Sequence, residues 1–333
     1  SRFENIRADL VRGLENAVAK RPATQVINDL REALLYGDYG ETALIEALEG
    51  LDLAAIEAYG GDFWASASAE ALLYGNYPPS AVADLAGALD ELLPAGEPPA
   101  LPPLEVLRLA AGEAVQFVTD VPHGDAVVAW YLQGGGDRWR DRAGTALAAQ
   151  VMKSGFFQEL RTEQQLGYVV SAFSWPQFDI PGLVLLVQSP SHDAAQVTGA
   201  MEAFLDEVLP SLDDARFRRH REALVAEIEQ PDKNLFERAE FYWQSIARRQ
   251  YAFDGRRQLA AAVNDFGMEE WAAYFRENFR QQPRSLRVIA PGATGVVPDS
   301  EGRRADSASA IKAGHSRSEE RRVGKECATG CRS

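Results

Sequence analysis

The stretch that decides the fold spans residues 156–173 and reads FFQELRTEQQLGYVVSAF. It joins the end of a long helical pattern to the start of a strand pattern. Thr162 and Gln165 have the spacing of a helix-capping box, which predicts a single helical turn that starts at Thr162. Gly167 would end this turn, because glycine readily adopts the backbone conformation that terminates a helix.

Arg161 and Tyr168 flank the predicted turn, one just before it and one at the mouth of the following strand. A guanidinium and a phenol can donate hydrogen bonds to the backbone carbonyls of an extended peptide without reading its side chains. The two residues are therefore candidate peptide-binding groups. The plainer alternative is that Arg161 pairs with Glu159 or Glu163 while Tyr168 only packs, and the pattern alone leaves both open.

Strand and helix patterns continue on both sides of this stretch. Upstream lie strand patterns and then a long helical pattern; downstream lie two strand patterns, four helical patterns and a last strand. The predicted strands are 105–109, 114–118, 126–133, 168–175, 182–188 and 285–290, and the four later helices are 193–209, 213–229, 234–249 and 268–279. This order predicts an α+β domain, in which helices cover one face of a mixed or antiparallel sheet.

Residues 1–93 read as a separate, mainly helical part of an α+β domain. Its helical patterns cover 3–20, 24–36, 41–59 and 80–93, and a short strand is predicted at 69–75. Residues 94–103 hold five prolines in ten positions and read as a linker. Residues 104–292 then form the complete domain. Residues 293–333 lose periodicity and are predicted to be a disordered tail whose end is not native sequence.

Composition and charge restrict the classes of function. The chain has 46% apolar and 25% charged residues, the profile of a globular protein, and a formal net charge of −15. Such an acidic chain repels nucleic-acid phosphate and anionic lipid, so neither nucleic acid nor membrane is an expected partner. Its two cysteines, Cys327 and Cys331, exclude a disulfide framework for the body and leave the compartment open between cytoplasm and periplasm. No methionine precedes Ser1, and we expect the chain to be cut from a longer one.

The sequence lacks the motifs that hydrolytic chemistry requires. The four histidines are His123, His192, His220 and His315, and no two of them stand one helical turn apart. Neither H-E-x-x-H nor the inverted H-x-x-E-H occurs, so we assign no zinc ligand. No G-x-S-x-G elbow is present either. The chain is therefore predicted to carry no catalytic residue and no metal site.

The segment 156–173, together with GLVLLVQS at 182–189 and EAFLDEVL at 202–209, resembles the last domain of the insulin-degrading enzyme and pitrilysin family. The motif L-R-T-x-x-Q-L-G-Y is specific to that domain. RFENIRADLVRGLENAVAKRP at 2–22 and EALLYGNYPPSAV at 70–82 resemble the second part of the preceding domain. The resemblance covers roughly residues 2–292.

This resemblance implies a zinc endopeptidase of four related α+β domains, arranged as two halves that close around a chamber. Residues 1–93 would be the latter part of the third domain, and residues 104–292 the fourth. Zn²⁺ would be held by the missing N-terminal half, and this chain alone would be inactive. Its expected partners are a peptide substrate and the N-terminal catalytic half of the same polypeptide. Arg161 and Tyr168 would reach the scissile region of the bound peptide.

Two other functions remain open at this point. One is a maturation peptidase for a small peptide precursor, of the pyrroloquinoline quinone pathway type, which shares this architecture. The other is a catalytically silent scaffold subunit with the same fold. A scaffold subunit has no need of substrate-positioning groups, so the presence of Arg161 and Tyr168 favours an enzyme.

Overall fold

The computed structural model describes residues 2–17, 21–96, 100–299 and 302–315. The first part of the chain contains five helices: α1 Arg2–Ala17, α2 Pro22–Leu34, α3 Glu41–Glu49, α4 Leu53–Ser66 and α5 Ser80–Leu92. The next part contains β1 Ala114–Val118, β2 Ala126–Gln133, α6 Trp139–Phe157, a π-helical segment Gln158–Glu163, β3 Val169–Ser174 and β4 Gly182–Ser189.

The last part of the chain is mainly helical. It contains α7 Ala194–Glu207, α8 Asp214–Ile228, α9 Leu235–Ala247, α10 Gly255–Asn264, α11 Met268–Phe275 and a second π-helical segment Arg276–Gln281. It ends with β5 Arg284–Ala290, a 3₁₀ turn Gly292–Thr294, β6 Arg303–Ala305 and α12 Ala308–Ala313. Helix α10 was not predicted from the sequence.

One sheet of six strands organises the fold, in the order β3-β4-β2-β5-β1-β6. β1 runs parallel to β5 and β6, whereas the other neighbours pair antiparallel, so the sheet is mixed. β2 and β4 each lie between two other strands and are buried along their whole length, which explains their nearly continuous apolar sequences. The predicted α+β class with a mixed sheet is confirmed.

Helices lie on both faces of this sheet, so the expectation that they cover only one face is wrong. The larger core lies on one face and includes Leu147 and Phe156 of α6 and Trp271 of α11. The opposite face is covered by α2 and α12, where Val26 and Leu30 pack with strand residues such as Val127. Helix α2 therefore shares a core with the sheet, although the sequence grouped it with residues 1–93. Its amphipathic pattern does not reveal which surface it buries against.

The predicted disordered tail is wrong for residues 302–315. β6 pairs with β1, and Ile311 of α12 is fully buried in the core of the second face. His315 Nε2 also lies within hydrogen-bonding distance, 2.7 Å, of Glu113 Oε1. A three-residue strand and a six-residue helix are too short to produce a readable period, so tertiary packing alone orders them. Residues 316–333, including Cys327 and Cys331, lie outside the described residues.

Two of the predicted strands are absent. Residues 69–74 belong to no strand, and in 105–109 Val106 forms an isolated bridge with Leu35. Leu107 donates its backbone N–H to the carbonyl of Leu34 at 2.7 Å. Apolar residues in a short stretch favour a strand pattern even where the backbone pairs with a neighbour at only one or two residues, or at none.

Helices α3, α4 and α5 have no buried residue. Large apolar side chains on them are exposed, among them Tyr59 (68%), Trp64 (62%) and Leu92 (74%). Their apolar faces therefore pack against little within the described part of the chain. None of the described helices is both long and apolar enough to cross a membrane.

Candidate functional site

The segment between α6 and β3 is fixed by two buried leucines. Leu160 and Leu166 are in the larger core, and the N–H of Leu166 donates to the carbonyl of Leu160 at 2.8 Å. The chain reverses through Gln165, whose φ of 53° is left-handed. The predicted capping-box turn is wrong, because Thr162 lies inside the π-helical segment and does not begin a helix. Burial of the leucines decides the local conformation here.

Arg161 is exposed near the end of the π-helical segment. Its guanidinium carbon lies 5.3 Å from the centroid of the Phe157 ring, which is itself 44% exposed. Among the described ion pairs, none joins Arg161 to Glu159 or Glu163. Those two carboxylates instead accept hydrogen bonds from Gln164 and Gln158, at 3.1 Å and 3.4 Å. The alternative in which Arg161 pairs with Glu159 or Glu163 is therefore not seen among the described contacts.

Tyr168 lies at the start of β3 and is 49% exposed. Its hydroxyl donates to Oδ2 of Asp125 at 2.7 Å, and the Gln188 amide donates to the same carboxylate oxygen at 2.8 Å. Gln188 also hydrogen bonds to the phenol oxygen. The hydrogen bond to Asp125 raises the pKa of Tyr168, since it stabilises the protonated phenol; partial burial acts in the same direction.

The sheet register brings Asp125 and Gln188 to Tyr168. Gln188 lies on β4 and pairs with Val127 of β2 on one side and with Val169 of β3 on the other. Its amide oxygen accepts the backbone N–H of Ala23 at 3.3 Å, which connects it to the start of α2. Neither Asp125 nor Gln188 was predicted from the sequence, because 63 positions separate them and only strand pairing makes them neighbours.

β3 lies at the edge of the sheet, and its first residue, Val169, directly follows Tyr168. The N–H of Trp175 donates to Gly182 at 2.7 Å, so alternate residues back to 169 bond to β4. The backbone groups of Val170, Ala172 and Ser174 consequently point away from β4. A cleft of about 470 Å³ opens along β3; it is lined by Lys153, Ser154, Phe157 and Gln158 together with residues 170–172.

A larger cleft of about 680 Å³ lies among α6, α8, α9 and α10. Within it, the carboxylate of Asp232 accepts hydrogen bonds from Arg256 at 2.8 Å and from Arg238 at 3.0 Å. These hydrogen bonds lower the pKa of Asp232, and the one from Arg256 has the largest effect. The carboxylate is thus held by arginines of the same chain.

The residues present do not fit a zinc ion. In the described ranges, from residue 2 to residue 315 with their gaps, no three His, Cys, Asp or Glu side chains cluster as metal ligands would. The residues that helix α6 buries in the larger core include Leu147 and Met152 rather than a cluster of His, Cys, Asp or Glu. Three ligands are the minimum for a catalytic zinc site, so no chemical step at this site can be assigned to a metal held by these residues.

Comparison with known proteins identifies relatives among peptidases. A family model described as "PQQ synthase PqqF-like, C-terminal lobe domain 4" matches residues 147–243. The insulin-degrading enzyme of Drosophila melanogaster is 26% identical over 301 residues, covering 87% of this chain and 30% of that protein. A putative zinc protease of Schizosaccharomyces pombe is 27% identical over 157 residues, covering 46% of this chain and 16% of that protein.

The crystal structure of pitrilysin superposes with a TM-score of 0.85 at 20% identity, covering 96% of this chain and 35% of pitrilysin. The fold is therefore that of pitrilysin-type peptidase domains. The resemblance to the insulinase family is confirmed, since the homologues of this chain include insulin-degrading enzyme and related metallopeptidases, which are hydrolases. The chain spans about a third of these proteins.

Proposed function

We propose that this chain is the non-catalytic, substrate-binding half of a zinc-dependent endopeptidase that cleaves peptides inside a closed chamber. The observation that carries the proposal is the position of two polar side chains at a free strand edge. Tyr168 lies at the start of β3, whose outward backbone groups have no partner strand among the described residues. Arg161 lies on the preceding π-helical segment, over the ring of Phe157, which lines the cleft along β3. An extended peptide can pair with such an edge while polar side chains hold its main chain.

In this proposal Arg161 and Tyr168 orient the peptide and perform no proton transfer. Orientation of the scissile carbonyl lowers the barrier, because the reacting groups are already aligned. Zn²⁺, bound by the N-terminal catalytic half of the same polypeptide, would supply the activated water. The homologous zinc protease supports a zinc enzyme of this kind.

The exposed apolar helices support an intramolecular partner. Exposed aromatic rings that contact one another, as Tyr59, Phe63 and Trp64 do, are typical of surfaces that another protein part covers. We propose that the N-terminal half of the same polypeptide contacts α4 and α5. A scaffold role would need such a surface too, but it would not need Arg161.

A maturation peptidase for one small peptide precursor is a second candidate. The match of residues 147–243 to the PqqF-like model favours it. The two candidates differ in selectivity: a maturation enzyme would cleave one precursor, whereas a degradative enzyme would cleave many unrelated peptides. A panel of unrelated peptides offered to the full-length protein separates them.

The proposal is tested with Arg161→Ala in the full-length protein. Loss of the guanidinium should lower kcat/KM for peptide cleavage by roughly tenfold or more, since a charged hydrogen bond contributes about 1.5–3 kcal/mol. The matched control is Arg276→Ala, another exposed arginine on a π-helical segment, and it should leave kcat/KM unchanged. Equal activity of the two variants would remove Arg161 from the site. If residues 1–333 alone bound zinc and cleaved peptides, the proposal that the N-terminal half carries the catalytic zinc would be refuted.

A further inference from the structure

We propose that Tyr168 meets a bound peptide as a hydrogen-bond acceptor and takes one of its backbone N–H groups, because Asp125 already holds the phenol proton. Asp125 is then a positioning residue for Tyr168. The inference rests on the proposed function and specifies how the same site recognises a peptide. It also changes the expectation from the sequence, in which both Arg161 and Tyr168 donate to carbonyls.

The hydrogen-bonding capacity of the phenol leads to this result. A tyrosine hydroxyl has one proton and can accept through its oxygen lone pairs, whereas a carboxylate can only accept. At 2.7 Å from Asp125 Oδ2, the phenol is therefore the donor. Gln188 donates to the phenol oxygen as well. One acceptor position of the Tyr168 oxygen remains for a ligand, and it calls for an N–H.

Of the three hydrogen-bonded side chains, only that of Tyr168 is exposed enough to contact a ligand. The Tyr168 side chain is 49% exposed, whereas the Asp125 side chain is 12% exposed and Gln188 is 1% exposed. The backbone N–H of Asp125 donates to His123 Nδ1 at 3.0 Å, which holds this turn in place. A peptide therefore contacts the phenol oxygen and leaves the carboxylate behind it undisturbed.

Together, Arg161 and Tyr168 then recognise both kinds of backbone group in a bound peptide. Arg161 can only donate and so takes a C=O, while Tyr168 takes an N–H. The site would thus require a secondary amide at one position of the substrate. Proline and N-methylated residues lack that N–H, and they should bind about five- to tenfold more weakly at that position alone.

The test uses this chain with ¹³C-labelled tyrosine rings, observed by NMR during peptide titration. The probe is a peptide of six alanines flanked by two lysines and blocked at both ends, together with its single N-methyl variants at successive positions. N-methylation at one peptide position should lower the affinity for the native chain about five- to tenfold. The same N-methylation should not lower the affinity for Tyr168→Phe. N-methylation at positions that pair only with β3 should lower the affinity for both proteins equally. The difference in affinity between the native chain and Tyr168→Phe therefore isolates the contribution of Tyr168.

Two substitutions of Asp125 test its positioning role. Asp125→Asn keeps an oxygen that accepts the phenol proton, so it should retain the position-specific N-methyl penalty. Asp125→Ala frees the proton, so the penalty should disappear while the peptide still binds. A merely structural Asp125 would weaken every peptide of the series equally in both variants.

The remaining outcomes separate this inference from the proposed function. If Tyr168→Phe weakens binding but no N-methyl position differs between the two proteins, then Tyr168 acts as a donor and the inference is wrong, although the peptide site remains. If no peptide shifts the Tyr168 signals, or if both Arg161→Ala and Tyr168→Phe leave binding unchanged, then the peptide site and the inference are both refuted.

Discussion

The hydroxyl of Tyr168 donates a 2.7 Å hydrogen bond to Asp125, which lies 43 residues earlier in the chain. The two residues stand at the starts of β3 and β2, and Gln188 on the intervening β4 hydrogen bonds to both. The phenol is thereby held at the mouth of a free strand edge. Three strands of one sheet therefore determine the orientation of a single exposed side chain.

Replacement of Tyr168 by Phe in the full-length protein should lower turnover by roughly tenfold to a hundredfold, because one oriented contact to the peptide is lost. Zinc content should not change, since Tyr168 is no ligand. Tyr251→Phe is a matched control: Tyr251 is 51% exposed and donates to Glu70 at 2.6 Å, but it lies outside the site. Kinetics and metal analysis of both variants make the comparison, and zinc loss in Tyr168→Phe would contradict the assignment.

Tyr168 should titrate above its ordinary pKa of 10.0, because Asp125 stabilises the protonated phenol. The folded state then binds this proton more tightly than the unfolded state. The resulting stabilisation is present at neutral pH and is lost as the pH rises through the folded pKa. A ring-carbon NMR titration measures it, with Tyr168→Phe to assign the signal. In Asp125→Asn the pKa should fall back toward 10, and an unchanged value would exclude Asp125 as the cause.

Asp29 on α2 has a pKa raised to about 6, mainly because burial disfavours its charged form. The folded state therefore binds the proton more tightly, and this stabilising contribution is full below pH 3.8 and lost as the pH rises through 6. Asp29→Asn should raise the free energy of unfolding at pH 7 by roughly 1–3 kcal/mol. Urea denaturation at pH 7 and pH 4 measures it, and the gain should shrink at pH 4.

The exposed Asp84 provides the control for this measurement. Asp84→Asn should change the free energy of unfolding by less than about 0.5 kcal/mol at either pH. A gain in Asp29→Asn that does not depend on pH would mean that burial of the charge is not its origin.

Leu30→Ala should lower the free energy of unfolding of the sheet domain by about 2–5 kcal/mol, because Leu30 is fully buried against the strands. Leu85→Ala on α5 removes a side chain that is 37% exposed, and it should cost less than about 1 kcal/mol. Urea denaturation followed by tryptophan fluorescence compares them. If Leu30→Ala left the stability of the sheet unchanged, α2 would belong to a separate unit.

Much of the fold could be predicted from local pattern. The alternation and apolar runs at 114–118, 126–133 and 182–188 reproduce β1, β2 and β4 closely, and the starts of α7, α8 and α9 were each predicted within two residues. These elements are long enough to show a period. β6 and α12 are too short for that, and they depend on contacts with β1 and α2.

The candidate site was predicted only in part. Arg161 and Tyr168 were found because they lie together in one motif, but whether they bind a peptide stays a prediction. Asp125 and Gln188 are far from them in sequence and carry no motif of their own. Their roles depend on which strand lies between which others.

The sequence by itself determined the fold class, the family resemblance and the choice of Arg161 and Tyr168, because these depend on residue type and spacing along the chain. Tertiary structure alone decided that α2 and α12 cover the second face of the sheet and that Asp125 holds the Tyr168 proton. The physical reason is that burial and hydrogen bonding act between residues that strand pairing brings together, whatever their separation in sequence.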